Sequence, residues 1–176
     1  MAKGGKLNCS MSRNSKISEA EALWHRYAES LNRMMMSYEA DRELREDLAQ
    51  NVFLAILNSL DRVLAAQNQK AYIYRIAHNV ATDHIARESR HRWQELDENI
   101  QDDWSTPEQL TELDQEKTKL ILAVRALKLP LRQVVILLLE DMTPGEIAEI
   151  LQISPGNVRI RINRAKQALQ EAMLKE

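Results

Sequence analysis

The sequence predicts an all-α protein: two small helical domains joined by an acidic linker. Three observations lead there. Apolar residues recur at intervals of three and four, while strand-like alternation is nearly absent. Only four glycines and four prolines occur in 176 residues, and the prolines stand where helices would start. Charge is segregated although the net charge is only −2. Lys70, Arg75, Arg87, Arg90 and Arg92 face only Asp83 and Glu88 in one stretch, and Arg159, Arg161, Arg164 and Lys166 face no acid between Pro155 and Leu169. Between these basic stretches, Gln94 to Glu116 holds nine acids and no Lys or Arg.

Composition also excludes classes. The longest apolar run, Val134 to Leu139, is far too short for a membrane span. The N-terminus has no continuous apolar stretch and is not a secretory signal. A cytoplasmic protein without direct membrane insertion is expected. Cys9 is the only cysteine, which excludes an intramolecular disulfide and a thiolate metal cluster. His25, His78, His84 and His91 lack cysteine or paired-carboxylate company. With no nucleophile–base set and no P-loop, neither a metal, a cofactor nor enzymatic activity is expected.

The elements follow in order. Residues 1–17 read as a disordered tail rich in Gly, Ser, Asn and Lys, with Met11 as a second candidate start. The first domain spans 18–92. Its first helix runs from about Ser18 to Ser37, carrying Trp24, Tyr27, Leu31 and Met34 to Met36. Its second runs from about Asp41 to Leu60, residues 61–69 connect, and a third runs from Lys70 to about Arg92. Residues 93–109 form the acidic, aperiodic linker. The second domain spans 110–176. Thr106-Pro107-Glu108-Gln109 has the residues of a helix start, and a helix to about Leu127 follows. Pro130 opens the next, to about Glu140. Thr143-Pro144-Gly145-Glu146 is a capping box that starts a short helix to Leu151, and Ser154-Pro155 starts the last, to about Leu174.

The last two helices have the layout of a helix-turn-helix. Ile147, Ala148 and Leu151 face inward on the first, and Ile153 fills the turn. Val158, Ile162, Ala165 and Leu169 fall within about 60° of arc on the second. The opposite face carries Gly156, Asn157, Ile160, Arg161, Arg164 and Gln167, flanked by Arg159 and Lys166. Such a face suits a major groove: Arg forks onto guanine, Asn pairs with adenine, and flanking cations hold phosphates. The bland alternative is a solvated basic face on an ordinary hairpin. The tight turn and four unopposed cations favour the groove.

The third helix, from Lys70, places Ile73, Ile76, Ala77 and Val80 on one side and Tyr74, Arg75, His78, Asn79 and Thr82 on the other. Rings, amides and cations on one exposed face suit unpaired bases, which stack on π-faces. The alternative, that the tyrosines are packing residues with wet hydroxyls, stands beside it. Asp83 and Arg87, four apart, read as an intrahelical ion pair. The second helix has a core stripe of Leu44, Leu48, Val52, Ala55 and Ile56. Its second, mixed surface of Asp47, Gln50, Asn51, Leu54 and Leu57 suggests a protein partner unless another segment covers it.

In this order the segments resemble the extracytoplasmic-function group of the sigma-70 family, over about residues 18–92 and 110–174. DLAQNVFLAIL is similar to the family's Asp-Leu-x-Gln-x-x-Phe helix at Asp47, Leu48, Gln50 and Phe53. The resemblance implies that this helix docks on the β′ subunit of RNA polymerase, with Asn51 and Leu54 beside it. KAYIYRIAHNVATDHIAR is similar to the helix that captures the melted −10 element, which implies a −10 role for Tyr72, Tyr74, Arg75, His78 and Asn79. Tyr72 stands where Trp is usual and His78 where Arg is common. EIAEILQISPGNVRIRINRAKQAL is similar to the −35-reading helix-turn-helix, which implies that role for Asn157, Arg159, Ile160, Arg161, Arg164 and Lys166. Here Gln152 replaces the usual Gly, Ile160 the usual Ser and Asn163 the usual His.

The resemblance implies a sigma factor for promoter recognition, melting and initiation. Its expected partners are core polymerase through its β′ and β subunits, promoter DNA and an anti-sigma factor. It further implies that the linker threads the polymerase interior, although a self-repelling spacer would have the same composition. Two rival readings remain: a helix-turn-helix regulator that binds duplex DNA without joining polymerase, and a purely protein-binding helical adaptor.

Overall fold

The computed structural model describes residues 12–95 and 115–174, and all regular structure among them is helical. The helices are α1 (Arg13–Tyr38), α2 (Arg42–Asn58), α3 (Leu60–Ala65), α4 (Gln69–Glu95), α5 (Gln115–Ala126), α6 (Leu129–Leu139), α7 (Pro144–Leu151) and α8 (Pro155–Leu174).

Side chains next to the helix starts close several of them. Ser12 Oγ accepts from Ser15 N at α1, Asp41 Oδ1 from Leu44 N at α2, and Asn68 Oδ1 from Ala71 N at α4. At α7 the box is reciprocal: Thr143 Oγ1 accepts from Glu146 N, and Glu146 Oε2 accepts from Thr143 N. Ser154 Oγ accepts from Asn157 N at α8. Each such bond satisfies an amide that the helix itself leaves open.

Three boundaries differ from the sequence reading. The first helix starts at Arg13, not Ser18, because Ser12 supplies a cap and Lys16 Nζ reaches Asp61 at 2.6 Å. Residues 13–17 therefore do not belong to a tail. The 61–69 connection is partly helix: α3 buries Leu60 and Val63. Finally, α4 continues through Trp93 to Glu95, into the expected linker. Residues 1–11, including Met11, lie outside the described residues, as do the rest of the linker and the Thr106–Gln109 cap.

In the first half, Leu23, Leu31, Met34 and Met35 of α1 pack with Leu48, Val52 and Ile56 of α2, and with Ile73, Tyr74 and Ala77 of α4. In the second, Val134 to Leu137 of α6 meet Ile147, Ala148 and Ile150 of α7, and Val158 and Ala165 of α8. Arg132 of α6 closes the end of α5, donating to the carbonyls of Arg125 and Leu127.

The halves also touch each other: α1 lies against α5 and α6, and α4 against α7. At this junction Glu140, only 7% exposed, accepts from Arg33 Nε (3.1 Å), Arg33 Nη2 (3.0 Å) and the Tyr74 hydroxyl (3.2 Å). Its backbone carbonyl accepts from Lys70 Nζ at 2.8 Å. Arg125 reaches across to the carbonyls of Met36 and Glu39, and Asn68 Nδ2 donates to Glu146. The last carboxylate is held below its ordinary range, first by the hydrogen bonds from Thr143 and then by that from Asn68.

Candidate nucleic-acid interface

The basic face of α8 depends on the turn before it. α7 ends at Gln152 in the left-handed region (φ 54°), and the Ile153 N–H closes on the Ala148 carbonyl at 3.1 Å. This is the helix stop that glycine usually serves, since glycine has no Cβ to crowd the carbonyl. Gln152→Gly should raise stability by about 0.5–1 kcal/mol, the strain removed less the entropy that glycine adds. Urea unfolding of the two proteins checks it; a lower midpoint in the variant would refute it.

Behind α8, Val158 and Ala165 are fully buried, with Ile162 and Leu169 half-buried around them. In front, Asn157, Arg159, Ile160, Arg164 and Lys166 are exposed and Arg161 is partly so. Arg161 Nε donates to Asn157 Oδ1 at 3.2 Å, which directs the guanidinium along the helix. Asn157, Ile160, Arg161 and Arg164 thus share the outer arc of α8, and Arg159 and Lys166 flank it.

The aromatic helix differs from the sequence reading. Of Tyr72, Tyr74, Arg75, His78 and Asn79, only Asn79 is fully on the outside. Tyr72 and Arg75 are partly exposed, with the guanidinium 4.5 Å from the ring centroid. Tyr74 is wholly buried, its hydroxyl on Glu140. His78 is 6% exposed and pairs with the Tyr38 hydroxyl at 3.0 Å. The physical reason is that α4 packs on several sides at once: α1, α2, α3 and α7 all contact it. Tyr74 and His78, four apart, therefore form a second inward stripe, and Ile76 and Val80 stay only half-buried. Burial lowers the His78 pKa to about 4, so the ring is neutral near pH 7. Arg87 Nε reaches the backbone carbonyl of Asp83 (3.3 Å) rather than its carboxylate, against the expected ion pair.

On α2, Asp47, Gln50, Asn51 and Leu54 are exposed together. Leu48 is not part of that surface: at 1% exposure it belongs to the core, because it shares the inward stripe of Val52 and Ile56. Phe53 is half-buried, edge-on to Trp24 with ring centroids 5.8 Å apart. An open, mostly apolar groove of about 480 Å³ lies there, lined by Glu21, Trp24, Ala49, Gln50, Phe53 and Leu54. The contribution of α1 to it was missed, because the sequence reading placed Trp24 simply among the apolar residues of its helix. Glu140, Arg33 and Lys70 were missed as well; their partners lie 66 to 107 residues away, beyond any local pattern.

Among the described residues no group of His, Cys, Asp or Glu is placed to hold a metal ion. No helix among them is long and apolar enough to cross a membrane.

Family comparisons agree with this geometry. A model described as Sigma-70 region 2 matches residues 23–91, and one described as Sigma-70, region 4 matches residues 117–169. Among curated proteins, the chain is 26% identical over 159 residues to the RNA polymerase sigma factor YlaC of Bacillus subtilis, covering 88% of this chain and 92% of that one. It is 25% identical to the ECF RNA polymerase sigma factor SigE of Mycolicibacterium smegmatis, covering 88% of this chain and 62% of the relative. Among solved structures, it is similar in fold to the sigma factor RpoE of Bartonella quintana, solved in complex with the anti-sigma factor NepR. That likeness has a TM-score of 0.73 at 20% identity, over 89% of this chain and 97% of that one.

Proposed function

The chain belongs to the extracytoplasmic-function group of the sigma-70 family, and from that premise we propose how its surfaces divide the work of an RNA polymerase sigma factor in transcription initiation. Residues 18–92 and 110–176 act as the two functional domains, bridged by residues 93–109. The exposed α2 surface of Asp47, Gln50, Asn51, Phe53 and Leu54 docks on core polymerase, and Leu48 supports it from beneath. The outer arc of α4, with Tyr72, Arg75 and Asn79, meets the −10 element. Tyr74 and His78 hold that arc in place from inside. The face of α8 enters the −35 major groove: Asn157, Ile160 and Arg161 address bases, while Arg159, Arg164 and Lys166 hold the backbone.

One observation carries this reading above all: an acid-free polar face on a capped recognition helix, following a region 2 match in the same chain. A regulator confined to duplex DNA would not need the first half. Sigma factors are non-enzymatic, and here the bond-making chemistry stays with polymerase. The protein works beside polymerase in the cytoplasm, and an anti-sigma factor that masks its surfaces is a further partner.

The test is run-off transcription by purified chain and core polymerase on a genomic fragment library. Specific transcripts that depend on the chain are expected. Failure to associate with core, or no chain-dependent start on any fragment, overturns the proposal. On a promoter found this way, Arg161→Ala should cost about 1–3 kcal/mol of discrimination at one position. Arg164→Ala should weaken all sequences alike and reduce the salt slope by about 0.9.

A further inference from the structure

Two features of α8 are not explained by the fold. Ile160 is a large aliphatic residue left 52% exposed, about 200° round the helix from the buried Val158. It therefore stands at the middle of the polar face, with Arg164 one turn after it and Gly156 one turn before. A lone exposed apolar residue is ordinary on a protein surface. Its place here is not, since every exposed neighbour on the face with a side chain is a cation or an amide. Gly156 is the second feature. Its φ is not positive, and a Cβ added there would meet nothing closer than Ser154 Oγ at 4.0 Å. Neither conformation nor packing within the chain calls for glycine, which costs helix stability at such a position. Glycine remains useful where the backbone must come close to something outside.

In the major groove, thymine alone offers an apolar group, its C5 methyl, and aliphatic side chains read it by contact. The amide of Asn157 is engaged with Arg161, which sets the guanidinium beside Ile160 as the neighbouring donor. We propose that Ile160 selects a thymine in the upstream promoter element by packing on its C5 methyl group, and that Gly156 lets this face approach the bases closely enough to do so. The proposal rests on α8 being the helix that reads promoter duplex.

The test uses the full chain with core polymerase. Promoters are selected by the wild type from a library randomised in the upstream element. In the best of them, each thymine of that element is then exchanged for deoxyuridine, which removes only the methyl group. One exchange should lower wild-type initiation about fourfold, the worth of one buried methyl. The same exchange should leave Ile160→Ser unaffected and Ile160→Val intermediate. Gly156→Ala should raise the unfolding midpoint and yet reduce initiation on the selected promoters. Equal losses in wild type and Ile160→Ser, or no methyl-sensitive thymine on a promoter the wild type does select, overturn this inference alone. A wild type that starts RNA nowhere overturns the functional reading with it.

Discussion

Replacing Arg33 with alanine is expected to cost about 3 kcal/mol of stability while tightening association with core polymerase. The Glu140 carboxylate is buried and has two kinds of donor, the Arg33 guanidinium and the Tyr74 hydroxyl. Without Arg33 the charge keeps a single neutral hydrogen bond. Removing one partner of a fully buried pair costs roughly 3–5 kcal/mol. The guanidinium is half-exposed, at 51%, so solvent screening places the loss at the lower end of that range. The loss falls on the junction between the halves. If polymerase engages the separated halves, the closed form reduces apparent affinity by the fraction it occupies, and a weaker junction returns that fraction. Urea unfolding measures the first effect, and titration with labelled core polymerase measures the second. Lower stability with unchanged or weaker core binding would show that the junction does not restrain the protein.

Acid should weaken the fold before its carboxylates titrate in bulk. The reason is His78. In the unfolded chain its imidazole binds a proton near the ordinary pKa of about 6.5, whereas burial holds it near 4 in the fold. Between these values the unfolded state carries the extra proton, so stability falls as pH drops through 6.5 and levels off below about 4. The gap corresponds to roughly 3 kcal/mol. Urea midpoints at pH 7 and pH 4.5 measure it. His78→Gln keeps a polar partner for Tyr38 without the titration and should flatten that pH dependence. A variant as acid-labile as the wild type would place the sensitivity elsewhere.

What could be read from the sequence follows from the range of the forces involved. Caps and helical periodicity act over three or four residues, so the α7 box, the turn at Ile153 and the α8 stripe were all legible. The exposed polar face of α8, the candidate site, was legible for the same reason: one helix carries all of it. On α4 the period was right and Ile73 and Ala77 do face the core, but a second side of the helix is buried as well. A single sequence does not tell how many neighbours surround a helix, and with four of them Tyr74 and His78 turn inward. Leu48 was misplaced by resemblance to a motif, although its own spacing had already put it in the core stripe. The Glu140 cluster left no sequence trace, since it assembles only after distant elements meet.

The helix starts have a consequence for how the molecule can move. Ser12, Asp41, Asn68, Thr143 and Ser154 each close a helix from beside it in the chain. Parting the halves would break side-chain bridges while leaving those starts intact. The pieces can then swing apart as finished bodies, without melting and reforming. Arg125 and Lys70 are the exceptions: from across the junction, Lys70 donates to the Glu140 carbonyl at the end of α6, and Arg125 to two carbonyls at the end of α1. Amide hydrogens in that last turn, near Met36 to Glu39, are therefore where exchange with solvent should quicken first as the bodies separate.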